Sequence, residues 1–213
     1  MDPFLHYGTI IPSILAAITF HEYAHARTAL ALGDPTAKEQ GRATLNPLAH
    51  LDPVGTLMLF LVGFGWGKPV PVTRSRLRNP RYDLFVSAAG PLTNFALAFL
   101  AARLLKAAPL WEALGPSFGP GGQLLALAFF QINLVLGTFN LLPLFPLDGS
   151  HVVQNLLPAG MDAKFERLNR SYGPILLMIM IAAGYVLPVS PLTAILGPPV
   201  QFLSELFLGP SAV

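Results

Sequence analysis

No cysteine occurs anywhere in the 213 residues, so disulfides and thiolate metal ligands are both excluded. Any metal has to be held by histidine and carboxylate. Charge is nearly as scarce. Asp, Glu, Lys and Arg make up 11% of the chain and hydrophobic residues 53%, whereas ordinary soluble domains carry roughly 25% charged residues. That balance is a membrane protein's. The net charge is only +2 and the basic residues form no aromatic-interleaved surface, which leaves nucleic-acid binding without support. Met1 to Gly8 has no basic stretch ahead of its apolar run, so the start does not read as a cleaved signal peptide. No internal repeat, low-complexity tract or linker is visible, and residues 1–213 read as a single transmembrane domain.

The chain is rich in apolar runs. The first extends from about Tyr7 to Leu32, with His6 reading as an interfacial residue at its start. Leu84 to Leu105 and Leu124 to Leu147 reach the ~20 residues that a helix needs to cross a bilayer. Tyr172 to Val189 and Pro191 to Leu208 are shorter and read as a closing helical hairpin, with Pro198 and Pro199 breaking or kinking its second arm. Val54 to Trp66 is too short to span and suits a re-entrant segment. The stretches 41–47 and 68–72 read as short extended pieces; Pro69 and Pro71 confine the second to a sheet edge, where another extended backbone can pair, or to an ordinary connection. The expected fold is therefore an all-α membrane protein: a polytopic transmembrane helical bundle with a re-entrant segment and short extended pieces.

Loop charges supply an orientation. Lys38, Arg42, Lys68, Arg74, Arg76, Arg78, Arg81, Lys164, Arg167 and Arg170 share one face if Val54 to Trp66 dips in and returns, whereas the connection Arg103 to Gln123 offers only Arg103 and Lys106. The positive-inside tendency makes the first face cytoplasmic.

Inside the first apolar run lies His21-Glu22-Tyr23-Ala24-His25. On a helix, positions four apart share a face, so His21 and His25 can grip one zinc ion while Glu22 stands beside the open coordination position. Zinc there would lower the pKa of a water whose proton Glu22 could take during attack on a peptide carbonyl. The five-residue pattern alone also occurs in helices that bind no metal. Hydrocarbon, however, disfavours three neighbouring polar side chains unless something compensates them.

A catalytic zinc normally has three protein ligands, so one more must come from elsewhere. Asp148, in the proline-interrupted stretch Asn140 to Gly149 at the inner end of an apolar run, is the costliest carboxylate to leave unpaired and the preferred candidate; His50 and His151 are its rivals. His25, Asn94 and Asp148 lie eight, eleven and ten residues from the nearest loops. At the helical rise this places all three roughly 12 to 16 Å below one boundary. Asn94, in Gly90-Pro91-Leu92-Thr93-Asn94, either bonds a neighbouring helix or donates to substrate, and Asn140 carries the same two readings.

His21-Glu22-Tyr23-Ala24-His25, Gly90-Pro91-Leu92-Thr93-Asn94, and Asn140 through Pro143 and Pro146 to Leu147-Asp148-Gly149 together resemble the site-2 protease family of intramembrane zinc metalloproteases. Asn46 to Gly55 and Lys68 to Val72 look like its small prokaryotic branch, without a PDZ or CBS domain. The resemblance implies one zinc per chain held by His21, His25 and Asp148, water activation by Glu22, and Asn140 placing the scissile backbone. It also implies a multi-pass protein of the prokaryotic cell membrane, with its site nearer the cytoplasm, that cuts a single-pass transmembrane substrate. Many members carry a spanning helix before the zinc-bearing one, whereas only twenty residues precede His21 here. The gate is then expected to come from the carboxyl-terminal pair. The competing class is a non-proteolytic metal transporter or zinc-binding scaffold; transport favours polar positions spread along a route and repeat-related halves, which this chain does not show.

Overall fold

The computed structural model describes residues 3 to 209, apart from the side chains of Pro3, Phe4, His6, Phe60, Ser117 and Phe118. The interfacial role expected of His6 thus lies outside the described residues. Helices dominate: α1 (Pro3–Ala31), α2 (Thr36–Glu39), α3 (Pro53–Val62), α4 (Asp83–Leu105), α5 (Ala108–Asn140), α6 (Asp148–Leu156), α7 (Met161–Ala183) and α8 (Pro191–Leu208). Two segments are long and apolar enough to cross a membrane, Pro80–Leu105 and Gly119–Asn140.

The centre of the molecule is the mutual packing of α1, α4 and α5, with α6 against α4 and α8 laid on α4 and α5. Lipid tails are as apolar as leucine, so helices in a bilayer associate through close packing rather than through escape from water. Small residues permit it: Ala98, Ala101 and Ala102 of α4 form a buried cluster with Phe130 and Leu134 of α5, covered by Val200, Leu203 and Phe207 of α8. Buried hydroxyls inside α1 are satisfied by their own helix. Ser13 Oγ donates to Thr9 O at 2.7 Å and Thr19 Oγ1 to Leu15 O at 2.6 Å, which removes the cost of burying a hydroxyl.

Helix α3 starts on a cap, Gly55 N donating to Asp52 Oδ1 at 2.8 Å, with Pro53 in its first turn. It stops at Gly63, whose φ of 67° is left-handed backbone. An isolated antiparallel bridge then joins Leu51 to Gly67, so the chain comes back beside the point from which it left.

Several expectations are corrected. No regular strand forms among the described residues. Residues 41–46 make turns that lead into a short helical turn at Pro47–His50, and 68–72 is extended but unladdered because Pro69 and Pro71 have no N–H to donate. The run Leu124 to Leu147 is not one helix: α5 ends at Asn140, residues 141–147 form a turn around Pro143 and Pro146, and Asp148 opens the new helix α6. The presumed connection Arg103 to Gln123 is largely helical, α5 beginning at Ala108 and bending where Gly115 takes φ 68°. Most of the basic stretch 158–171 belongs to α7. Pro198 and Pro199 do not break α8, which runs unbroken from Pro191 to Leu208.

Candidate metal centre

Three helices deliver the polar groups. Helix α1 presents His21 and His25 one turn apart, both buried, and α6 contributes Asp148 from its first residue. His21 Nε2 and His25 Nε2 are 3.0 Å apart, and Asp148 Oδ2 lies 3.1 Å from the first and 3.3 Å from the second. Ligands at 2.0–2.1 Å around a tetrahedral zinc are separated by about 3.3 Å, so the three atoms already form one face of such a tetrahedron.

The donor chemistry fits as well. His21 Nδ1 donates to Asn94 Oδ1 at 2.6 Å and His25 Nδ1 to Val86 O at 2.7 Å. The amide orientation of Asn94 follows from its other end, since Nδ2 donates to Asn133 Oδ1 at 2.9 Å and to Ala17 O at 3.3 Å. With both Nδ1 atoms carrying their protons, two bare Nε2 lone pairs face each other and a carboxylate oxygen. Asp148 Oδ2 is buried without a hydrogen-bond partner. Three acceptors so close repel one another unless a cation sits among them, and second nitrogens fixed on carbonyl oxygens are the usual support of metal-bound imidazole. His21, His25 and Asp148 thus suit one divalent metal.

Helix α4 is the frame for this arrangement. Asp83, Val86, Gly90 and Asn94 fall three or four residues apart, on one face, and all are buried. Val86 and Asn94 hold the two rings, and Gly90 lies between them: a Cβ there would come within 2.6 Å of His21 Nε2 and closer still to His25 Nε2. Glycine at 90 leaves the space into which the imidazoles point.

Glu22 is half-buried, and its Oε2 accepts the Val70 N–H at 2.7 Å. The segment carrying Val70 is tied down along its length. Lys68 N donates to His50 O at 2.8 Å, Arg42 donates to Lys68 O at 2.6 Å, and Thr73 N donates to Asp34 Oδ2 at 2.6 Å. Burial of Asp34 alone would raise its carboxyl pKa, but hydrogen bonds from the Thr36 hydroxyl and the backbone N–H groups of Thr73 and Thr36, together with Arg76, hold it below the usual range.

The remaining candidates are placed apart from the triad. His50 is fully buried with Nε2 donating to Thr44 O at 2.8 Å, and His151 lies against Arg74 at 2.7 Å, so neither rival joins the other two imidazoles. Asn94 is brought in, but behind His21, fully buried and with both ends of its amide engaged. Asn140, at the end of α5, donates Nδ2 to Leu136 O at 3.0 Å. Sequence reasoning missed Val86, Asn133 and the bond from Val70, and noted Gly90 only as part of the Gly90–Asn94 motif. Asn133 carried a usable signal, a second amide inside an apolar run; Val86 and Val70 act through backbone atoms and carry none.

A pair of imidazoles four residues apart, a carboxylate from a second helix and a glutamate beside them define a metallopeptidase. Known proteins agree. Residues 120–183 match the family model described as Peptidase family M50. The chain is 42% identical over 190 residues to "Putative zinc metalloprotease YwhC" of Bacillus subtilis, covering 84% of this chain and 85% of that one. It is 32% identical over 145 residues to "Putative zinc metalloprotease Rip2" of Mycolicibacterium smegmatis, covering 66% of this chain and 54% of the relative. A shorter match, 39% over 78 residues and 36% of each chain, is to "Putative zinc metalloprotease MJ0611" of Methanocaldococcus jannaschii. No solved structure matches. The chain belongs to peptidase family M50, the site-2 proteases.

Proposed function

We propose that the protein is an intramembrane zinc endopeptidase that hydrolyses a peptide bond in or near the transmembrane helix of a membrane-anchored substrate. The observation that carries this reading is the triangle of His21 Nε2, His25 Nε2 and Asp148 Oδ2, with edges of 3.0 to 3.3 Å, set among apolar helices. His21, His25 and Asp148 would hold the one zinc ion, which when bound would supply a Lewis acid and lower the pKa of a water. Glu22 would serve as the general base, its Oε2 steadied by the Val70 N–H so that the carboxylate keeps one aim. Asn94 orients His21 and, being enclosed, does not reach substrate; Asn140, whose side chain donates to Leu136 O of its own helix, meets the scissile backbone.

Residues 1–213 act as one polytopic transmembrane domain. The Leu51–Gly67 bridge favours re-entry of α3 over a crossing, and the 60%, 56% and 68% exposure of Val54, Leu57 and Leu61 suits a segment dipped into lipid. The basic loops then lie together on the cytoplasmic face, nearest the site. A helical substrate has every backbone carbonyl bonded internally, so it unwinds locally before it is cut.

Reconstituted protein with a single-pass test helix provides the experiment. Glu22→Gln lowers cleavage by at least about 100-fold while one zinc per chain stays bound. Wild-type cleavage by that variant would remove Glu22 from the proposed role. Zinc flux by the wild-type protein without cleavage of any test helix would favour transport instead.

A further inference from the structure

The turn before α6 is held from α7 by Asn169, whose Oδ1 accepts from Phe145 N at 3.1 Å and whose Nδ2 donates to Pro143 O at 3.2 Å, but Asp148 Oδ2 has no hydrogen bond of its own, whereas helix α4 fixes the two histidines directly. The same helix nevertheless reaches α6 through its first residue. Asp83, 4% exposed, is paired with Arg74. The Arg74 guanidinium also donates to His151 Nδ1 at 2.7 Å and to Gln154 Oε1 at 3.1 Å, while Asn155 Nδ2 donates to Asp83 Oδ2 at 3.2 Å. His151, Gln154 and Asn155 stand one turn or less apart on α6 and present a single face to the pair. A second layer closes the far side, Gln154 Nε2 donating to Glu166 Oε2 at 2.7 Å and Arg170 Nε to Glu166 Oε1 at 2.9 Å.

We infer that Arg74 and Asp83 are positioning residues for Asp148: the pair locks the register of α6 to α4, so that one rigid helix sets all three metal donors. The inference rests on the zinc reading given above. Its physical basis is that the buried Asp83 carboxylate tolerates little displacement of its half-exposed Arg74 partner, because a shift leaves that carboxylate away from both water and its counter-charge. Nη2 of Arg74 alone stands against Asp83, His151 and Gln154, so one terminal nitrogen joins α4 to α6. Arg76, by contrast, pairs with Glu39 at 2.6 Å on the exposed surface, touching neither α4 nor α6.

The test measures the rate at which the purified, zinc-loaded full chain releases metal to a chelator, beside the melting temperature of the zinc-free protein. The double variant Asp83→Asn with Arg74→Met removes both charges, so neither is left stranded. Zinc release from it is about tenfold faster than from wild type, the scale of losing a supporting residue around a metal site. Asn155→Ala, which removes the bonds to Asp83 Oδ2 and His151 O and no charge, accelerates release several-fold, and Arg76→Met leaves it unchanged. If the double variant and Asn155→Ala both release zinc at the wild-type rate while the zinc-free melting temperature falls, the pair is only a structural brace and the inference is overturned. Should the double variant fail to fold, Asn155→Ala decides by the same criterion. Wild-type protein that carries no zinc removable by Asp148→Ala would overturn the zinc reading itself, and this inference with it.

Discussion

Helices α4 and α8 look alike as sequences, apolar and interrupted by proline, yet they are built to opposite purposes. Helix α4 buries Asp83, Ser87, Gly90 and Asn94 along its inner side and uses that stripe to aim the imidazoles of α1. Helix α8 buries no residue fully, and Phe202 and Leu206 stand 65% and 64% exposed. Of the two, only α4 is long and apolar enough to cross a membrane. What fits it to the site, however, is a few polar and small positions three or four apart rather than its mean character.

Substitutions can break that contrast, and the largest effect is expected at Gly90. Gly90→Ala places a methyl group among the ring nitrogens, so the purified protein should fall from one zinc per chain to nearly none by metal analysis; full occupancy would show that the rings do not converge there. Asn94→Ala frees His21 Nδ1 and leaves Asn133 Oδ1 without the Asn94 donor, and should weaken zinc affinity by about 10- to 100-fold in chelator competition. A smaller change is expected at the anchor of the Val70 segment. Asp34→Asn should cost about 1 to 3 kcal/mol near neutral pH, with the sign set by its depressed pKa. The stabilisation is present above the ordinary carboxylate value and is lost as pH falls through the lower folded one. Melting temperatures of wild type and variant should therefore converge in acid; a constant gap would contradict the assignment. Leu92→Ala on the outer side of α4 and Phe202→Ala on α8 sharpen the comparison, because both side chains face outward. Neither should change zinc content, and each should move stability by no more than about 0.5 kcal/mol.

Much of the site was legible because lipid makes polar residues conspicuous. His21, Glu22, His25, Asn94 and Asp148 all drew notice as costs within apolar runs, and the structure brings the donor atoms of His21, His25 and Asp148 within 3.3 Å of one another, with Asn94 bonded to His21 and Glu22 next in chain. The same reasoning applied to Asn133 would have found the residue that holds Asn94. Gly90 could be assigned only once α1 and α4 were seen to cross there, and backbone donors and acceptors such as Val70 N–H and Val86 O leave no mark in sequence.

The fold was misread where composition imitates a loop. Gly115, Pro116, Gly119, Pro120, Gly121 and Gly122 suggest a connection, yet α5 runs through them with one bend, near a buried Trp111 whose Nε1 donates to Leu104 O at 3.1 Å. The polar first half of α7 was passed over for want of hydropathy, although the four-residue spacing of Glu166 and Arg170 was a helical sign. In the opposite sense, the turn that ends α5 and begins α6, which frees Asp148 to meet the histidines, was marked within an apolar run only by Pro143 and Pro146.

The central claim is that two imidazoles and one aspartate share a single zinc ion. X-ray absorption at the zinc edge, recorded on purified wild-type and Asp148→Ala protein, tests it most directly. The wild type should hold one zinc surrounded only by nitrogen and oxygen at about 2.0–2.1 Å, and the variant should lose most of its metal. Equal zinc content and an identical spectrum from the two proteins would contradict the account.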